Sequence, residues 1–298
     1  MTKIGVIAHR DKMLGGGLGE LRDRLGAAGF PDHEWFEMSR SREGPDGLRA
    51  MVKDGVDRVL VWGGDGTVRR CIDAIVADEL DHVSLGVLPA GTANLLAKNL
   101  GIPTDLEGAL AVALHGEPRP IDVGVMNGEH FAVMGGTGFD ALMIKDADDE
   151  VKEKLGRVGY VRATIRSTKM SPIKMTVELD GRTWFSGKAT CVLVGNVGTI
   201  LGGITAFADA SPTDGRLDVG VLQAKSRADW VRVAARSVTG RVDRSPFVDV
   251  ATAKKIKIEL KTKTPWQVDG GDKTPAKKFK IRCVPGAVRI CQPAEEQS

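Results

Sequence analysis

The sequence predicts an α/β domain whose parallel sheet is covered by helices, followed by a second, mainly antiparallel β-sandwich domain, with boundaries at 1–122 and 123–285. Three observations carry this expectation. Short apolar runs alternate with helical periodicity from Ile4 to Leu114. Two-residue hairpin signals, Asn127-Gly128 and Asp180-Gly181, then stand between strand-like segments, and glycine-rich turns open directly after two of the early strands. At 298 residues the chain exceeds one average domain, so two domains of ordinary size are the default.

Taken in order, Ile4 to Ala8 reads as the first strand, followed by a helix with Leu18, Leu21 and Leu25 on one face. Glu34 to Met38 is the next strand, and the helix after it carries Leu48, Met51 and Val52. Strand Arg58 to Trp62 leads through Gly63-Gly64-Asp65-Gly66-Thr67 into a helix with Val68, Ile72, Ile75 and Val76. Ser84 to Leu88, a helix through Leu96 and another with Leu106, Leu110, Ala113 and Leu114 complete the α/β part. Repeated βα units with short connections give a parallel sheet covered on both faces. Past Ile121 strands dominate: Ile121 to Met126, His130 to Met134, Lys174 to Leu179, Thr183 to Lys188, Thr190 to Gly195, Leu217 to Leu222, Lys254 to Leu260, Lys277 to Arg282 and Val288 to Cys291. A helix over Ser226 to Thr239 aligns Trp230, Val231, Ala234 and Val238, either to pack on the β domain or to lie at a membrane interface.

Ligands of open parallel sheets sit beyond the carboxyl ends of the strands, and Gly63 and Gly91 each lie just past one. Three glycines at a strand-to-helix turn leave backbone N–H groups uncovered, and the helix N-terminus adds partial positive charge, which suits a phosphate. Gly63, Gly64, Asp65, Gly66 and Thr67, with Val68 and Arg69 opening the helix behind them, are therefore phosphate-binding candidates. Asp65 would repel a phosphate unaided, so it meets one through Mg²⁺ or takes a proton from an attacking hydroxyl. Thr67 offers a hydroxyl or a helix N-cap. Gly91 and Thr92 supply a second set of donors, Thr92 alternatively capping a helix, and the Asn94 amide suits a hydroxyl or ribose. Arg10, Lys12, Arg69 and Arg70 are cations near these turns.

Other chemistries find little support. The five histidines are scattered without H-E-x-x-H spacing, and neither a G-x-S-x-G elbow nor a G-x-x-x-x-G-K-[ST] loop is present. Gly15-Gly16-Gly17-Leu18-Gly19 lacks the G-x-G-x-x-G spacing of a dinucleotide-binding oxidoreductase. A net charge of +3 argues against a nucleic-acid binder. Lys254 to Arg282 nevertheless hold ten Lys or Arg against three acids on alternating strand positions, either a solvated face or one drawn to an anionic membrane. Cys71, Cys191, Cys283 and Cys291 show no zinc or disulfide spacing, no segment reaches the ~18 apolar residues of a spanning helix, and Met1 to Ala8 is a first strand more than a signal peptide. The expectation is a cytoplasmic protein, peripheral to the membrane if its substrate is a lipid, with a homodimer left open.

Gly63 to Thr67 followed by Pro89-Ala90-Gly91-Thr92-Ala93-Asn94 resembles the catalytic domain of diacylglycerol kinases and of the related sphingosine, ceramide and bacterial lipid kinases. The resemblance continues in order through Pro120 to Gly124, Gly136 to Ala141, Asn196, Gly202-Gly203, Ala210 to Asp218 and Val268-Asp269-Gly270. It implies transfer of the γ-phosphoryl group of ATP to the hydroxyl of diacylglycerol or a similar lipid, with Mg²⁺ held by Asp214 beside the carbonyls of Ser211 and Arg216. It also implies that 286–298 return to the first domain. Where the family carries Asp-Gly-Glu, with the glutamate as general base, this chain has Asp269-Gly270-Gly271-Asp272, so the base is Asp272, Asp269 or Asp65. The family's Asn-Pro-x-Ser-Gly is replaced by Ala8-His9-Arg10-Asp11-Lys12, and its Asn-Glu after the glycine turn by Arg69-Arg70. NAD kinases share the glycine turn, and a nucleotide- or lipid-binding module without catalysis is the reading from another class.

Overall fold

The computed structural model describes residues 3–138, 172–200, 204–224, 229 and 245–294. The chain forms two compact units, one of residues up to Ile121 together with the segment from Gly286 onward, the other Asp122–Pro285. Apart from residue 229, the expected helix 226–239 lies outside the described residues, as do Gly202-Gly203 and the motif end at 139–141.

The first unit runs β1 (Ile4–His9), α1 (Gly17–Ala27), β2 (Glu34–Met38), α2 (Gly44–Lys53), β3 (Arg58–Gly63), α3 (Asp65–Ala77), β4 (Ser84–Pro89), α4 (Leu95–Asn99) and α5 (Leu106–His115), with a single 3-10 turn at Ser41–Glu43. Its strands lie parallel in the order β2-β1-β3-β4. Alternate residues Ile4, Val6 and Ala8 of β1 and Leu60 and Trp62 of β3 form one core with Leu21 and Leu25 of α1 and Leu106 and Leu110 of α5. Each buried side chain of this size is worth about 1.5–3 kcal/mol. The Trp62 indole N–H meets the Lys12 carbonyl at 3.1 Å, so the largest core residue also anchors the loop after β1. Asp105 caps α5, its carboxylate accepting the Gly108 N–H at 2.8 Å.

The second unit is built from β5 (Glu117–Met126, which enters it at Asp122), β6 (Glu129–Phe131), β7 (Met134–Thr137), β8 (Ile173–Leu179), β9 (Arg182–Ala189), β10 (Cys191–Gly195), β11 (Thr199–Ile200), β12 (Ile204–Thr205), β13 (Leu217–Leu222), β14 (Val248–Ala253), β15 (Lys255–Val268) and β16 (Gly271–Gln292). The order β14-β13-β10-β7-β15 is antiparallel throughout. The first half of β15 pairs with β8, and the second half, after register shifts near Thr264, pairs with β7. One long strand thereby serves both layers of a sandwich over a shared core of Phe131, Val177, Val194, Val219, Ile258, Val268, Phe279 and Ile281. This is the predicted fold class, α/β followed by an antiparallel β-sandwich. β16 ends in the first unit, where Arg289 and Ile290 pair in parallel with Ser84 and Leu85 of β4.

Both predicted hairpins are present. Asn127 (φ 50°) and Gly128 (φ 89°), then Asp180 (φ 48°) and Gly181 (φ 85°), have the two left-handed residues a type I′ turn requires. The expected strand His130 to Met134 is broken after Phe131, because the N–H groups of Ala132, Val133 and Met134 turn to the Asp269 carboxylate. β15 outruns its predicted end at Leu260, the predicted strands 277–282 and 288–291 are parts of one strand, β16, and β14 lies in a segment the sequence left unassigned.

Candidate functional site

At the carboxyl edge of the parallel sheet, Met38 pairs with His9, Trp62 with Ala8 and Gly63 with Pro89, so the chain leaves β1, β3 and β4 side by side. The two glycine turns touch backbone to backbone. A Cβ on Gly91 would lie 2.4 Å from the Gly64 Cα, and one on Gly64 would lie 3.1 Å from the Gly91 Cα, so only glycine allows this approach. Asp65, the first residue of α3, ties the turns further: its half-buried carboxylate accepts the Leu96 N–H through Oδ1 at 3.1 Å. The second oxygen, Oδ2, has no partner among the described residues.

Of the predicted donors, Thr67 and Val68 give their N–H groups to the Gly64 carbonyl at 2.9 and 3.1 Å, leaving those of Gly64, Asp65 and Gly66 without an acceptor among the described residues. They cluster at the uncapped N-terminus of the 13-residue α3, an arrangement fitted to a phosphate. Several side chains depart from expectation. Thr67 is no N-cap: Gly64 holds that position, and the buried Thr67 hydroxyl meets Ser41 Oγ at 2.9 Å. Thr92 is exposed and caps no helix, since Asn94 stands at the N-cap of α4. The Asn94 amide is consumed by the loop, accepting the Gly91 N–H at 3.0 Å and donating to the Pro89 and Gly91 carbonyls at 2.9 and 2.8 Å. It braces the second turn rather than reaching for a ribose. Val68 is core, and Arg69 is buried with its guanidinium 3.6 Å from Asp73, so neither presents its side chain to a ligand. Arg70 reaches the same Asp73, the exposed Arg10 lies near Glu37, whose carboxyl is held below its usual range by the Trp35 indole first, then by Arg22 and last by Arg10, and Lys12 is half-buried.

In the second unit, Thr213-Asp214-Gly215-Arg216 is a turn with Gly215 at φ 72°. Asp214 Oδ1 accepts the Arg216 N–H at 2.9 Å, and Gly215 donates to Asp122 Oδ2 at 2.6 Å. Asp122, fully buried, also donates its N–H to the Pro212 carbonyl, fixing the turn from below. Arg216 points away, its guanidinium on Thr252, which leaves its carbonyl as the group the turn offers. Behind the turn Asp218 is 7% exposed, and its carboxyl makes no hydrogen bond or ion pair among the described residues. Burial, then the charges of Asp214 and Asp209, push its carboxyl up to about 6. Burial and then Asp122 and Asp214 push the Cys283 thiol up to about 12. Among the described residues no three His, Cys, Asp or Glu side chains could hold a metal ion by themselves. One or two carboxylates, backbone carbonyls and retained water match the way Mg²⁺ is held, and the mostly buried Asp218 carboxyl, which makes no hydrogen bond among the described residues, fits such a cation.

The turn between β15 and β16 separates its two carboxylates. Asp269 (φ 42°) spends both oxygens inside the protein, Oδ2 on the Ala132 N–H at 2.8 Å and Oδ1 on those of Val133 and Met134 at 3.1 and 2.8 Å. It clasps three successive backbone amides. Gly271 pairs with the fully buried Val268, and Asp272 with Gln267. Paired residues share a face and neighbours alternate, so Asp272 projects on the opposite side of the sheet from position 271. An exposed Asp272 is thus no replacement for a carboxylate at 271.

Sequence reasoning gave no role to three residues. Asp122 and Asp218 stood inside quoted motifs without an assignment, and His9 was set aside with the other histidines. Only the fold shows that His9, 9% exposed with Nδ1 unpartnered, ends β1 beside the glycine turn.

Family models match both units. One described as the diacylglycerol kinase catalytic domain matches residues 16–126, and one described as the YegS C-terminal NAD kinase beta sandwich-like domain matches residues 133–292. A diacylglycerol kinase of Bacillus subtilis is 28% identical over 216 residues, 72% of this chain and 71% of its own. One of Mycobacterium tuberculosis is 28% identical over 253 residues, 83% and 80% of the two chains. The crystal structure of a diacylglycerol kinase from Bacillus anthracis superposes with a TM-score of 0.78 at 26% identity, covering 98% of this chain and 97% of that one. A yeast NADH kinase shares the fold alone, with a TM-score of 0.53 at 11% identity over 97% and 82%.

Proposed function

Because the chain belongs to the diacylglycerol kinase catalytic-domain family and is therefore a phosphotransferase acting on an alcohol group, we propose that it moves the γ-phosphoryl group of ATP to the hydroxyl of diacylglycerol or a similar lipid. The observation that carries this reading is the pair of touching glycine turns, with three open N–H groups and one open carboxylate oxygen at a helix N-terminus.

In this reading the N–H groups of Gly64, Asp65 and Gly66 bind the phosphate chain, and the α3 dipole favours its charge. Asp65 Oδ2 accepts the proton of the lipid hydroxyl as its oxygen attacks the γ-phosphorus and the bond from that phosphorus to the β,γ-bridging oxygen breaks, releasing ADP, while Oδ1 stays fixed on Leu96. Asp65 is favoured over its rivals because Asp269 is committed to three amides and Asp272 lies on the far face of its strand. Asp214, with the carbonyls of Ser211 and Arg216 and the buried Asp218, would hold Mg²⁺, which supplies positive charge against phosphate oxygens. The sheet face on which Lys255 pairs with Arg282 and Lys257 with Lys280 supports peripheral contact with an anionic membrane, since each cation near such a surface adds roughly 1 kcal/mol. Among the described residues no helix is long and apolar enough to cross one.

The test is phosphatidate formation from Mg-ATP and diacylglycerol in mixed micelles, with NAD offered in parallel. Phosphorylated lipid supports the proposal. Phosphorylated NAD in its place transfers the chain to the NAD kinase reading, and binding of ATP without any product leaves a non-catalytic module.

A further inference from the structure

We propose that His9 is a contact for the phosphate chain of the bound nucleotide, forming a side-chain wall to the cradle that Gly64, Asp65 and Gly66 build from backbone. The inference rests on the reading above, that this edge of the sheet takes a nucleoside triphosphate, and adds a residue unlike the family pattern, which carries no histidine in its first-strand signature.

Register and alternation place the ring. β1 and β3 run parallel with Ala8 opposite Trp62, so His9 is level with Gly63 at the carboxyl edge. β2 lies on the outer side of β1 and β4 on the outer side of β3, so the gap between β1 and β3 is the point where the chain reverses its direction across the sheet. Ile4, Val6 and Ala8 face the core shared with α1 and α5. His9, next in the alternation, therefore faces the other side, together with Gly63. On that side a Cβ at Gly63 would lie 2.6 Å from Thr67, so the first turn of α3 covers the sheet at this level. The imidazole stands beside the helix N-terminus whose amides are open.

Two independent features there ask for a ligand. α3 spans 13 residues and has no side-chain cap. His9 is 91% buried, Nδ1 is closed off without a partner, and neither ring nitrogen makes a hydrogen bond among the described residues. Nδ1 is sealed inside the protein, so Nε2, the ring nitrogen that keeps accessible surface and has no hydrogen-bond partner among the described residues, is the one that meets a phosphate oxygen beside this anion-seeking helix end and donates its N–H. The neighbouring cations have other engagements: Arg69 and Arg70 meet Asp73, and Arg10 lies near Glu37.

The experiment compares affinities for Mg-ATP and for adenosine, by calorimetry on the full chain, in wild type, His9→Phe and His9→Gln. Phenylalanine fills the ring's volume without a donor, and glutamine keeps one. His9→Phe is expected to weaken Mg-ATP by about 10- to 100-fold, the range of a hydrogen bond to a charged group, and adenosine less than about twofold, with His9→Gln recovering part of the loss. Unchanged Mg-ATP affinity in His9→Phe, or an equal loss for adenosine, overturns the inference. If wild type binds no Mg-ATP, the nucleotide reading falls and the inference with it. Should His9→Phe fail to fold, the imidazole ¹H–¹⁵N signals of wild-type His9, identified by their absence in His9→Gln, decide: a shift with Mg-ATP and none with adenosine supports the contact, and no shift with either overturns it.

Discussion

Two Asp-Gly turns of this protein carry the same dipeptide and opposite chemistry. At Asp65-Gly66 the carboxylate opens a helix and gives one oxygen to Leu96, keeping the other available. At Asp269-Gly270 it closes a β-turn and gives both oxygens to three successive amides. A carboxylate is a reagent only when the fold leaves a lone pair uncommitted, and motif position does not reveal which case holds.

The comparison is broken most directly at Asp65. Asp65→Asn keeps an acceptor for the Leu96 N–H, so the fold should stand while turnover drops by about 10²- to 10⁴-fold if Asp65 takes the hydroxyl proton. Steady-state kinetics with unchanged circular dichroism check this. A loss under threefold moves the base elsewhere. Asp269→Ala should show the converse, a stability loss on the order of 3 kcal/mol from three orphaned amides, read by urea unfolding, with the surviving folded enzyme turning over normally.

These outcomes bear on what was legible from sequence. Strands β1 to β4 and their helices, and both type I′ hairpins, follow from periodicity and from Asn-Gly and Asp-Gly pairs, because those signals are local. The break after Phe131 is not local, since its cause lies at Asp269, 137 residues from Ala132. The site divides likewise. Gly64, Asp65 and Gly66 are readable because glycine at a strand end exposes amides whatever packs nearby. The contacts of Asn94 and Arg69 are not readable, because an amide or guanidinium can serve a loop or a buried acid as readily as a ligand. His9 and Asp218 escaped because their interest lies in being buried without partners, which no spacing encodes.

The acidic turn extends the contrast to a carboxyl that is mostly buried and makes no hydrogen bond among the described residues. With no cation bound, as in EDTA, burial and then the charges of Asp214 and Asp209 push the folded Asp218 carboxyl up to about 6, from its ordinary 3.8. The folded state then holds more protons between those values, so stability should fall as pH rises from 4 through 6 and stay reduced above. Asp218→Asn should remove that slope and gain roughly 1 to 2 kcal/mol at pH 8, measured by urea midpoints. Added Mg²⁺ should raise the wild-type midpoint and leave the variant's nearly unmoved. A wild type indifferent to both EDTA and Mg²⁺ would remove the cation from this turn.

The smallest expected effect sharpens the comparison furthest. Asp272 follows the residue where the resemblance implies a glutamate, and a reading by sequence distance alone would make it the substitute base. Its pairing with Gln267, while Gly271 pairs with Val268, puts it across the sheet from that position. A shift of one residue on a strand is a change of face, which no rotamer of a side chain as short as aspartate undoes. Asp272→Asn should therefore leave kcat and KM within about threefold of wild type and stability within about 0.5 kcal/mol, as for an exposed surface change. If it instead cost as much turnover as Asp65→Asn, the strand would have to slip or the turn rearrange in the working enzyme, and the distinction drawn between the two Asp-Gly turns would belong to the resting fold alone.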